Sequence, residues 1–577
     1  MESKQLTQLL SVDRANSYQT WIAVGQCLHN IDSSLLDSWI DFSQRCSKFK
    51  EGECEEIWAA MDLRDDGPGL GSLHRWAKMD NPKGYQIFTR NNIATDILKS
   101  QSQTTQDVAC VVYNMYKYEY KCTSIKNGVW YEFRNHRWCQ VDSGYTLRRK
   151  IGNEVVNEYL RLITYYNIIA WDQQTDEQID DYLGKSKNLT DVTYKLRDSD
   201  FKENIMNECQ TLFYDPQFES KLDVNPDLIG FENGIYDLRN GEFRDGRPDD
   251  YISLTTGNDY IELSKNDEVI TAIDNFMSQV FPDPDVRTYV LILLASFLEG
   301  RNPHEKFHIW TGVGDNGKSK LLELFELAFG KYTAKRNFTF LTRKIKNPDF
   351  EFARLKSIRA LQIVEQGETE SINIGLMKEL TGGDRLPYYL PDCDPVYFKP
   401  QFKMIYYCKQ LPSLPLDDYG VWRRVRVTEF KGRFVNNPDP KNPYEFKKDP
   451  YLSQKLFTWK EAFMFILLEH YKIYKKQGLI EPMAVTNATI EYQKMNDISR
   501  AYIEFVDDCL EKDANSSIKL EATYEIFKGW WKANFEGKLP TRRDMKAGLE
   551  KKLGQYLPNS EGGWHGYKFV VRSNIDL

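Results

Sequence analysis

The chain has 577 residues, of which 41% are hydrophobic, 14% aromatic and 28% charged. This length and composition exclude a disordered or collagen-like polymer and predict several compact domains with apolar cores. The net charge of -8 gives no global sign of nucleic-acid binding, so any DNA contact must be local. The longest apolar stretches, residues 289–298 and 462–468, fall short of the roughly 18 residues that a membrane-spanning helix needs, so we expect no membrane contact.

The first eighty residues combine tryptophans with apolar residues at helical spacing, which predicts a helical domain over residues 1–80. Tryptophans such as Trp21 and Trp39 fit a buried core. The start, MESKQLTQLL, lacks the charged, apolar and cleavage segments of a secretory signal, so we expect an intracellular protein. Residues 81–107, which include SQSQTTQD, are polar and are predicted to be a linker.

Short aromatic runs such as VWYEF and HRW, followed by helical patterns, predict a mixed α and β domain over residues 108–284. The Asn233-Gly234 and Asn240-Gly241 pairs bracket residues 235–238 as turns bracket a short strand.

The ten cysteines occur singly without a CxxC pair, which favours reduced thiols over a disulfide framework. Cys110, Cys122, His136 and Cys139 match no common zinc spacing. We favour ordinary core or surface positions for them over a zinc site.

From Asp285 the pattern becomes apolar helix, short strand, glycine-rich loop and amphipathic helix, which predicts a nucleotide-binding α/β domain over residues 285–432. The loop fits G-x-x-x-x-G-K-[ST] without a mismatch. Lys318 would reach the β- and γ-phosphates of ATP, and the Ser319 hydroxyl would bind magnesium. The strand before the loop and the helix after it disfavour an accidental glycine-rich turn. The predicted nucleotide-binding residues are Gly312, Val313, Gly314, Asp315, Asn316, Gly317, Lys318, Ser319 and Lys320.

Two later segments supply candidate catalytic residues. Residues 361–364 form an apolar strand that ends in Glu365, placed to deliver a carboxylate to magnesium or water, with Glu368 as a second candidate. A surface glutamate at a strand end is the alternative. Arg423 and Arg424 precede the next apolar strand, where an arginine of one subunit can reach the γ-phosphate held by its neighbour. Adjacent arginines are also common as solvated surface residues.

After residue 430 a charged segment leads into helical patterns such as WKEAFMFILLEHYKIYKK. The last sixty residues are predicted to be helices followed by a short hairpin. Together these patterns predict a helical and winged-helix-like region over residues 433–577.

The segment from Glu365 to Asp384, which contains NIGLMKELTGGD, resembles the superfamily 3 helicase core of poxvirus-type primase-helicases from nucleocytoplasmic large DNA viruses and related phages. The stretches FKPQFKM, LP and GVWRRVRV continue this match in order. Residues 18–78 resemble the accessory domain that follows the primase domain in such proteins. VWYEFRNHRW and FENGIYDL resemble the domain that precedes their helicase.

The resemblance implies an α/β, multidomain protein with a P-loop AAA+ core, an α-helical amino-terminal domain and an α+β helicase-preceding domain. It implies a hexameric, ATP- and magnesium-dependent helicase that acts on single-stranded or forked DNA, usually 3′ to 5′, through a hairpin between the Glu365 and Arg423 strands. Our candidate DNA contacts are Arg385, Tyr388, Tyr389 and Lys399.

The resemblance also implies a primase domain, placed before Met1 or supplied in trans, and other viral replication proteins as partners. No segment here supplies the aspartates and histidine of a primase site, so we expect no primer synthesis by this chain. We expect it at viral replication sites in the host cytoplasm, with the host nucleus as the alternative.

Three positions depart from the family pattern. Gly367 stands where relatives commonly carry a second acid, Tyr389 where they often carry a hairpin arginine, and Lys409 in place of an asparagine that senses the γ-phosphate. Lysine can still bond to phosphate and tyrosine can stack on a base. The departures nonetheless leave open an ATP-binding DNA scaffold or loader with weak hydrolysis. A small-molecule P-loop kinase is a further alternative, for which we find no lid or acceptor site.

Overall fold

The computed structural model describes residues 2–570 except 65–66, 174, 343–351, 366–371, 389–395, 413, 416–417, 496–497, 536–538 and 557–562. Its mixed α/β, multidomain architecture around a parallel sheet confirms the predicted fold class. The chain forms two compact units, the first made of residues 1–263, 298–300 and 328–332, and the second of the remaining residues. In the part described, no helix is both long and apolar enough to cross a membrane.

The amino-terminal part of the first unit is a set of helices around a tryptophan core. Trp21 stacks on Trp39 with ring centroids 4.8 Å apart, and both rings are buried as predicted. The Trp21 Nε1 donates a hydrogen bond to Ser43 Oγ, so the polar edge of this ring is satisfied inside the core. The helices here span Glu2–Gln8, Val12–Asn16, Tyr18–Ile31, Leu36–Ser43, Glu53–Ala59 and Leu70–Asp80.

The linker prediction for residues 81–107 was wrong over most of that segment, because Pro82–Lys99 is a helix. The Asn81 side chain caps its first turn, and proline is well tolerated at the first helical position. Phe88, Ile93 and Ile97 are buried on this helix, whereas Ile87 is exposed. Because the apolar residues of this segment do not all fall on one face, the helical period is too weak to detect in the sequence.

The rest of the first unit combines helices with two antiparallel sheets of three strands each. The first sheet contains Tyr120–Ser124, Val129–Arg134 and Arg137–Asp142, and the second contains Leu228–Gly230, Ile235–Asp237 and Glu242–Arg244. The strand predicted between the two Asn-Gly turns is therefore confirmed. The helices here span Thr105–Tyr116, Tyr145–Lys150, Val156–Trp171, Asp176–Lys195, Ser199–Leu212 and Phe218–Lys221.

The second unit is built on a parallel sheet of five strands. In chain order these are β1 (Phe307–Thr311), β2 (Thr333–Asn337), β3 (Ala360–Val364), β4 (Lys403–Cys408) and β5 (Val425–Glu429). Their order in the sheet is β5-β1-β4-β3-β2. β1 is buried along its whole length, as expected of a parallel strand covered on both faces. Because all strands run the same way, the loops after β1, β3 and β4 meet at one edge.

The remaining elements of the second unit are helices and three small two-stranded sheets. The helices from residue 264 onward span Glu268–Val280, Pro284–Ser296, Lys318–Phe329, Thr339–Thr342, Ile374–Gly382, Tyr419–Trp422, Leu452–Gln477, Met483–Met495, Ile498–Cys509, Leu520–Asn534 and Arg542–Leu553. The small sheets pair Leu386–Tyr388 with Val396–Phe398, Arg433–Val435 with Glu445–Lys447, and Leu510–Ile518 with Trp564–Phe569.

Among the described residues, the strand near the carboxy terminus does not form the local hairpin that its sequence suggests. Trp564–Phe569 pairs antiparallel with Leu510–Ile518, which precedes the last two helices. The prediction was wrong because GGWHGYKFVV holds a single run of strand-forming residues, and a lone strand must find its partner elsewhere in the chain.

Candidate nucleotide site

The loop after β1 has a shape that depends on glycine. Gly312 and Gly317 have φ angles of 148° and 79°, which residues with a Cβ rarely adopt. A Cβ on Gly317 would lie 2.8 Å from Val280 Cγ2 and 2.9 Å from Phe434 Cε2. The loop leads into a helix that starts at Lys318, so its backbone N–H groups lie where a helix N-terminus favours an anion.

Lys318 lies at the start of this helix with its ammonium group largely withdrawn from solvent. It is 7% exposed, and its Nζ donates a hydrogen bond of 2.6 Å to the main-chain oxygen of Cys408 at the end of β4. Burial lowers the pKa of Lys318 below its ordinary value, while the nearby Cys408 and Glu365 act in the opposite direction. Ser319 follows on the exposed side of the helix.

Glu365 lies beside Lys318 because β3 and β4 are neighbours and end at the same edge. Its main-chain N–H donates to Tyr407 O at 3.3 Å, and its Oε2 accepts the Lys409 N–H at 2.5 Å. The Thr311 hydroxyl at the end of β1 donates to Lys409 O at 3.3 Å. The turn after β4 thus links the ends of β1 and β3, and it fixes the Glu365 carboxylate through a main-chain amide.

The structure therefore brings together Lys318, Glu365 and Lys409, three residues chosen from the sequence. Lys409 contributes its main-chain N–H to this group, whereas the residue is otherwise exposed to solvent. Glu368 and Gly367 lie outside the described residues. The sequence motif did not predict that the Cys408 carbonyl accepts from Lys318, because a main-chain oxygen has no sequence signature.

Asn316 is the buried polar residue of the loop. It is 4% exposed, and its Oδ1 accepts the Lys318 N–H at 3.3 Å. Its Nδ2 has no hydrogen-bond partner within the described part of the chain. A buried donor without a partner is costly, so this amide group is available to a ligand in the loop.

The loop is also held by the small parallel sheet near residue 440, which sequence reasoning missed. Phe434 donates its main-chain N–H to Asp315 O at 2.7 Å, and Lys448 Nζ lies 3.7 Å from Asp315 Oδ1. The Lys320 side chain is engaged elsewhere, since its Nζ donates to Glu323 Oε2 at 2.7 Å and Ser453 Oγ at 2.8 Å. Any part of Lys320 in phosphate binding is thereby restricted to its main chain.

Arg423 and Arg424 lie at the opposite edge of the sheet from the loop. Both precede β5, and Arg424 O accepts the N–H of Phe307, the first residue of β1. A strand of five residues spans roughly 15 Å, so neither arginine is next to the glycine loop of its own chain.

The two arginines also differ in burial. Glu305 Oε2 accepts from Arg423 Nη2 at 2.6 Å and from Arg424 Nη2 at 2.9 Å. Arg424 is buried and donates further to Thr381 Oγ1 and Gly420 O. The Arg423 side chain is 46% exposed. Arg423 is therefore the arginine of this pair that is available to another molecule.

The predicted hairpin between β3 and β4 is present. Leu386–Tyr388 pairs antiparallel with Val396–Phe398, and the exposed Arg385 and Lys399 flank the Leu386 and Phe398 pair at its base. Tyr389 and the Tyr388 side chain lie outside the described residues. Tyr397, which sequence reasoning missed, is 58% exposed on this hairpin.

No group of three or more His, Cys, Asp or Glu side chains in the described part of the chain could hold a metal ion. Cys122 is buried, whereas Cys110 and Cys139 are partly exposed.

Comparison with protein families finds two matching domains. Residues 109–283 match the family described as D5 N terminal like, and residues 3–77 match Primase C terminal 2.

Curated relatives come from large DNA viruses. The chain is 39% identical over 97% of its length to "Putative helicase L207/L206" of Acanthamoeba polyphaga mimivirus, of which the match covers 60%. It is 29% identical over 94% of its length to "Putative helicase 121R" of Invertebrate iridescent virus 3, covering 64% of that protein. It is 22% identical over 96% of its length to "Putative primase C962R" of African swine fever virus (isolate Pig/Kenya/KEN-50/1950), covering 62%. The chain thus spans between 60% and 64% of these relatives.

One similar solved structure is the A form apo structure of the NrS-1 C terminal region. It aligns with 75% of this chain and 87% of its own, at 14% identity and a TM-score of 0.36. A score this low does not establish a shared fold.

Proposed function

We propose that this chain is an ATP-driven DNA translocase of viral replication, in keeping with its match to the D5 N terminal like and Primase C terminal 2 families and its similarity to viral proteins named putative helicase and putative primase. The single observation that carries the proposal is the convergence of Lys318, Ser319 and Glu365 at one edge of the parallel sheet. This arrangement suits a magnesium nucleotide bound across the ends of β1, β3 and β4.

The residues at this edge fit a nucleotide. The glycine loop leaves its backbone N–H groups open to phosphate oxygens, and the buried Asn316 amide has an unused donor. The Lys318 ammonium would exchange the Cys408 carbonyl for the β- and γ-phosphates. Ser319 would hold magnesium, which when bound neutralises charge on the phosphates.

Glu365 would orient the attacking water and accept its proton. A glutamate in this role must stay ionised and fixed. The hydrogen bond from the Lys409 N–H to Glu365 Oε2 holds the carboxylate in place. In this proposal the exposed Lys409 side chain replaces an asparagine as the contact to the γ-phosphate, which a lysine can make as a charged donor.

We propose that the protein works as a homo-oligomer, specifically a hexameric superfamily 3 AAA+ ring. The support is the distance of Arg423 from the loop of its own chain, together with its exposure. An arginine so placed can serve a nucleotide held by a neighbouring subunit, where it stabilises charge developing in the transition state. Single-stranded or forked DNA would contact the hairpin through Arg385, Lys399 and Tyr397.

The test is steady-state ATP hydrolysis by the purified protein with and without single-stranded DNA. Lys318→Ala should abolish hydrolysis, because the buried cation that contacts the phosphates is lost. Lys320→Ala is the matched control two residues away, whose ammonium is bound to Glu323 and Ser453. Its rate should stay within about threefold of the unchanged protein. Chelation of magnesium should stop the reaction.

Each alternative function predicts a different result. A DNA scaffold or loader would bind ATP and DNA without turnover that DNA stimulates. A small-molecule kinase would turn over faster with a metabolite than with DNA. An unchanged rate in Lys318→Ala would refute the assignment of the loop.

A further inference from the structure

The first unit contains a cavity that plays no part in the function proposed above. Its volume is about 580 Å³, within the range of about 300 to 1,000 Å³ typical of small-molecule sites. Residues of the helices Leu70–Asp80, Pro82–Lys99 and Thr105–Tyr116 line it, together with Glu119 and Phe133 from the sheet region.

Among the described residues, the charges that line the cavity include one cation, Arg75, without a carboxylate at ion-pair distance, although Asp245, Glu119 and Asp250 act on it from farther away. Lys78 Nζ donates to Glu119 Oε1 at 2.5 Å, and Lys117 Nζ lies 3.9 Å from Glu2 Oε1. Arg75 has no carboxylate within 4.0 Å in the described part of the chain, and its closest polar contact is a distance of 3.5 Å from Nη2 to His136 Nδ1.

Arg75 is also poorly solvated. Its Nε is buried without a hydrogen-bond partner among the described residues, and burial lowers its pKa. A guanidinium in this state gains from an anion with oxygens placed for two hydrogen bonds, as a phosphate has.

Aromatic and amide side chains complete the lining. Tyr118 stacks on His74 with ring centroids 4.3 Å apart, and Arg75 Cζ lies 5.1 Å from the Phe133 ring centre. Tyr85 contributes another ring, and Asn92 lies on the exposed rim, where its side chain makes no hydrogen bond with described residues. Aromatic faces accept a nucleobase, and an amide can both donate to and accept from its edge.

We propose that this cavity binds a nucleotide, with the phosphate at Arg75 and the base against the tyrosine rings. The occupant would be either a free mononucleotide or one nucleotide of a single strand, which share this chemistry. The site is separate from the glycine loop, so it does not depend on the proposed ATPase.

The test uses the full chain carrying Lys318→Ala, which removes the buried cation of the glycine loop and so weakens nucleotide binding there. Binding of a fluorescent ADP analogue is measured by anisotropy, with unlabelled ADP, a short oligodeoxythymidine and ribose 5-phosphate as competitors. Saturable binding is expected, and ribose 5-phosphate should not displace the probe. Stronger displacement by ADP identifies a free nucleotide as the occupant, and stronger displacement by the oligonucleotide identifies a strand.

Two adjacent asparagines give a matched pair of variants. Asn92→Asp replaces the rim amide with a charged group that can no longer donate to the edge of the base, and it should weaken binding by about tenfold, the order expected for one lost hydrogen bond. Asn91→Asp adds the same charge on the same helix outside the lining and should leave binding unchanged. Arg75→Gln should weaken binding by more than tenfold, and the asparagine pair decides the matter if that variant does not fold.

Three results would overturn the proposal. These are no nucleotide binding in the Lys318→Ala protein, equal binding by the two asparagine variants, and displacement of the probe by ribose 5-phosphate as strongly as by ADP. None of them bears on ATP hydrolysis, which the Lys318→Ala comparison tests separately.

Discussion

Arg423 and Arg424 are neighbours in the chain, yet they sit in different environments. Arg424 is buried, and its guanidinium donates to Glu305, Thr381 and Gly420. Arg423 shares Glu305 but keeps nearly half of its side chain in solvent. The structure therefore separates two candidates that the sequence leaves equivalent, and it favours Arg423 as the arginine that acts on another subunit.

The two arginines should contribute differently to the stability of the protein. Arg424→Ala should lower the free energy of unfolding by about 2 kcal/mol, because three partners, among them the buried Thr381, lose hydrogen bonds to a charged group. Arg423→Ala should change it by less than about 0.5 kcal/mol, as is usual for an exposed side chain. Chemical denaturation measures both, and an equal loss in the two variants would contradict the assignment.

Subunit mixing should show whether Arg423 acts between copies. Arg423→Ala should reduce the ATPase rate by about 10³-fold or more, as loss of an arginine finger does. Mixing it with Lys318→Ala subunits should restore part of the rate, because one interface then joins an intact Lys318 to an intact Arg423. Two inactive proteins that stay inactive when mixed would argue against a shared site.

Gly314 and Gly317 provide a second comparison at the residue scale. A Cβ on Gly317 would meet Val280 and Phe434 at a left-handed φ, whereas one on Gly314 would meet nothing within 4 Å. Without nucleotide, Gly317→Ala should lower the free energy of unfolding by about 2 kcal/mol and Gly314→Ala by less than about 0.5 kcal/mol. Thermal unfolding of both variants checks this, and similar melting temperatures would mean that the loop is not packed as described.

At the element scale, the hairpin between β3 and β4 has buried Leu386 and Phe398 at its base, while Tyr397 and the flanking Arg385 and Lys399 are exposed. The hairpin follows the helix Ile374–Gly382 in the chain, and the hydroxyl of Thr381 in this helix accepts from Arg424 Nε at 3.1 Å. The proposed DNA contact and the buried arginine therefore share one support, the helix Ile374–Gly382. That DNA binds here stays a prediction.

Charge removal on the hairpin should weaken DNA binding in a salt-dependent way. Changing Arg385 and Lys399 together to Ala should reduce the slope of log affinity against log salt by about 1.4, the value for two phosphate contacts on a single strand. ATPase without DNA should be nearly unchanged. The control is Lys475 and Lys476 changed to Ala at an exposed helix end, and an equal effect in this control would show non-specific attraction.

At the scale of the whole molecule, the first unit joins parts that are far apart in sequence. The Asp249 carboxylate accepts the N–H groups of Gly69 and Ser72 at 3.0 and 2.8 Å, and the Ser72 hydroxyl at 2.6 Å. Asp249 thereby caps the helix Leu70–Asp80 from about 180 residues away. This contact helps the amino-terminal helices and the α+β part to form one compact unit.

Loss of this cap should loosen the first unit. Asp249→Ala should lower its free energy of unfolding by about 2 kcal/mol and speed proteolytic cleavage, because three donors lose their acceptor. Asp259→Ala, an exposed aspartate in the same region, is the control. Identical proteolysis of the two variants would mean that the cap does not hold the parts together.

Contiguous motifs determined the outline of this protein. The loop around Gly317, the strand before Glu365 and the arginines before β5 were identified because each pattern lies within a few residues. The α/β class was confirmed, and the matched domains and relatives show the expected similarity to viral proteins named putative helicase or putative primase. The roles given to individual site residues stay predictions.

Only the tertiary structure decided the contacts between distant segments. The Cys408 carbonyl on Lys318, the Lys409 amide on Glu365 and the Asp249 cap involve main-chain atoms or partners that no local pattern marks. The same holds for the pairing of Trp564–Phe569 and for the separation of Arg423 from its own loop. Local periodicity reports which face of an element is apolar, but which elements then meet depends on packing over the whole chain.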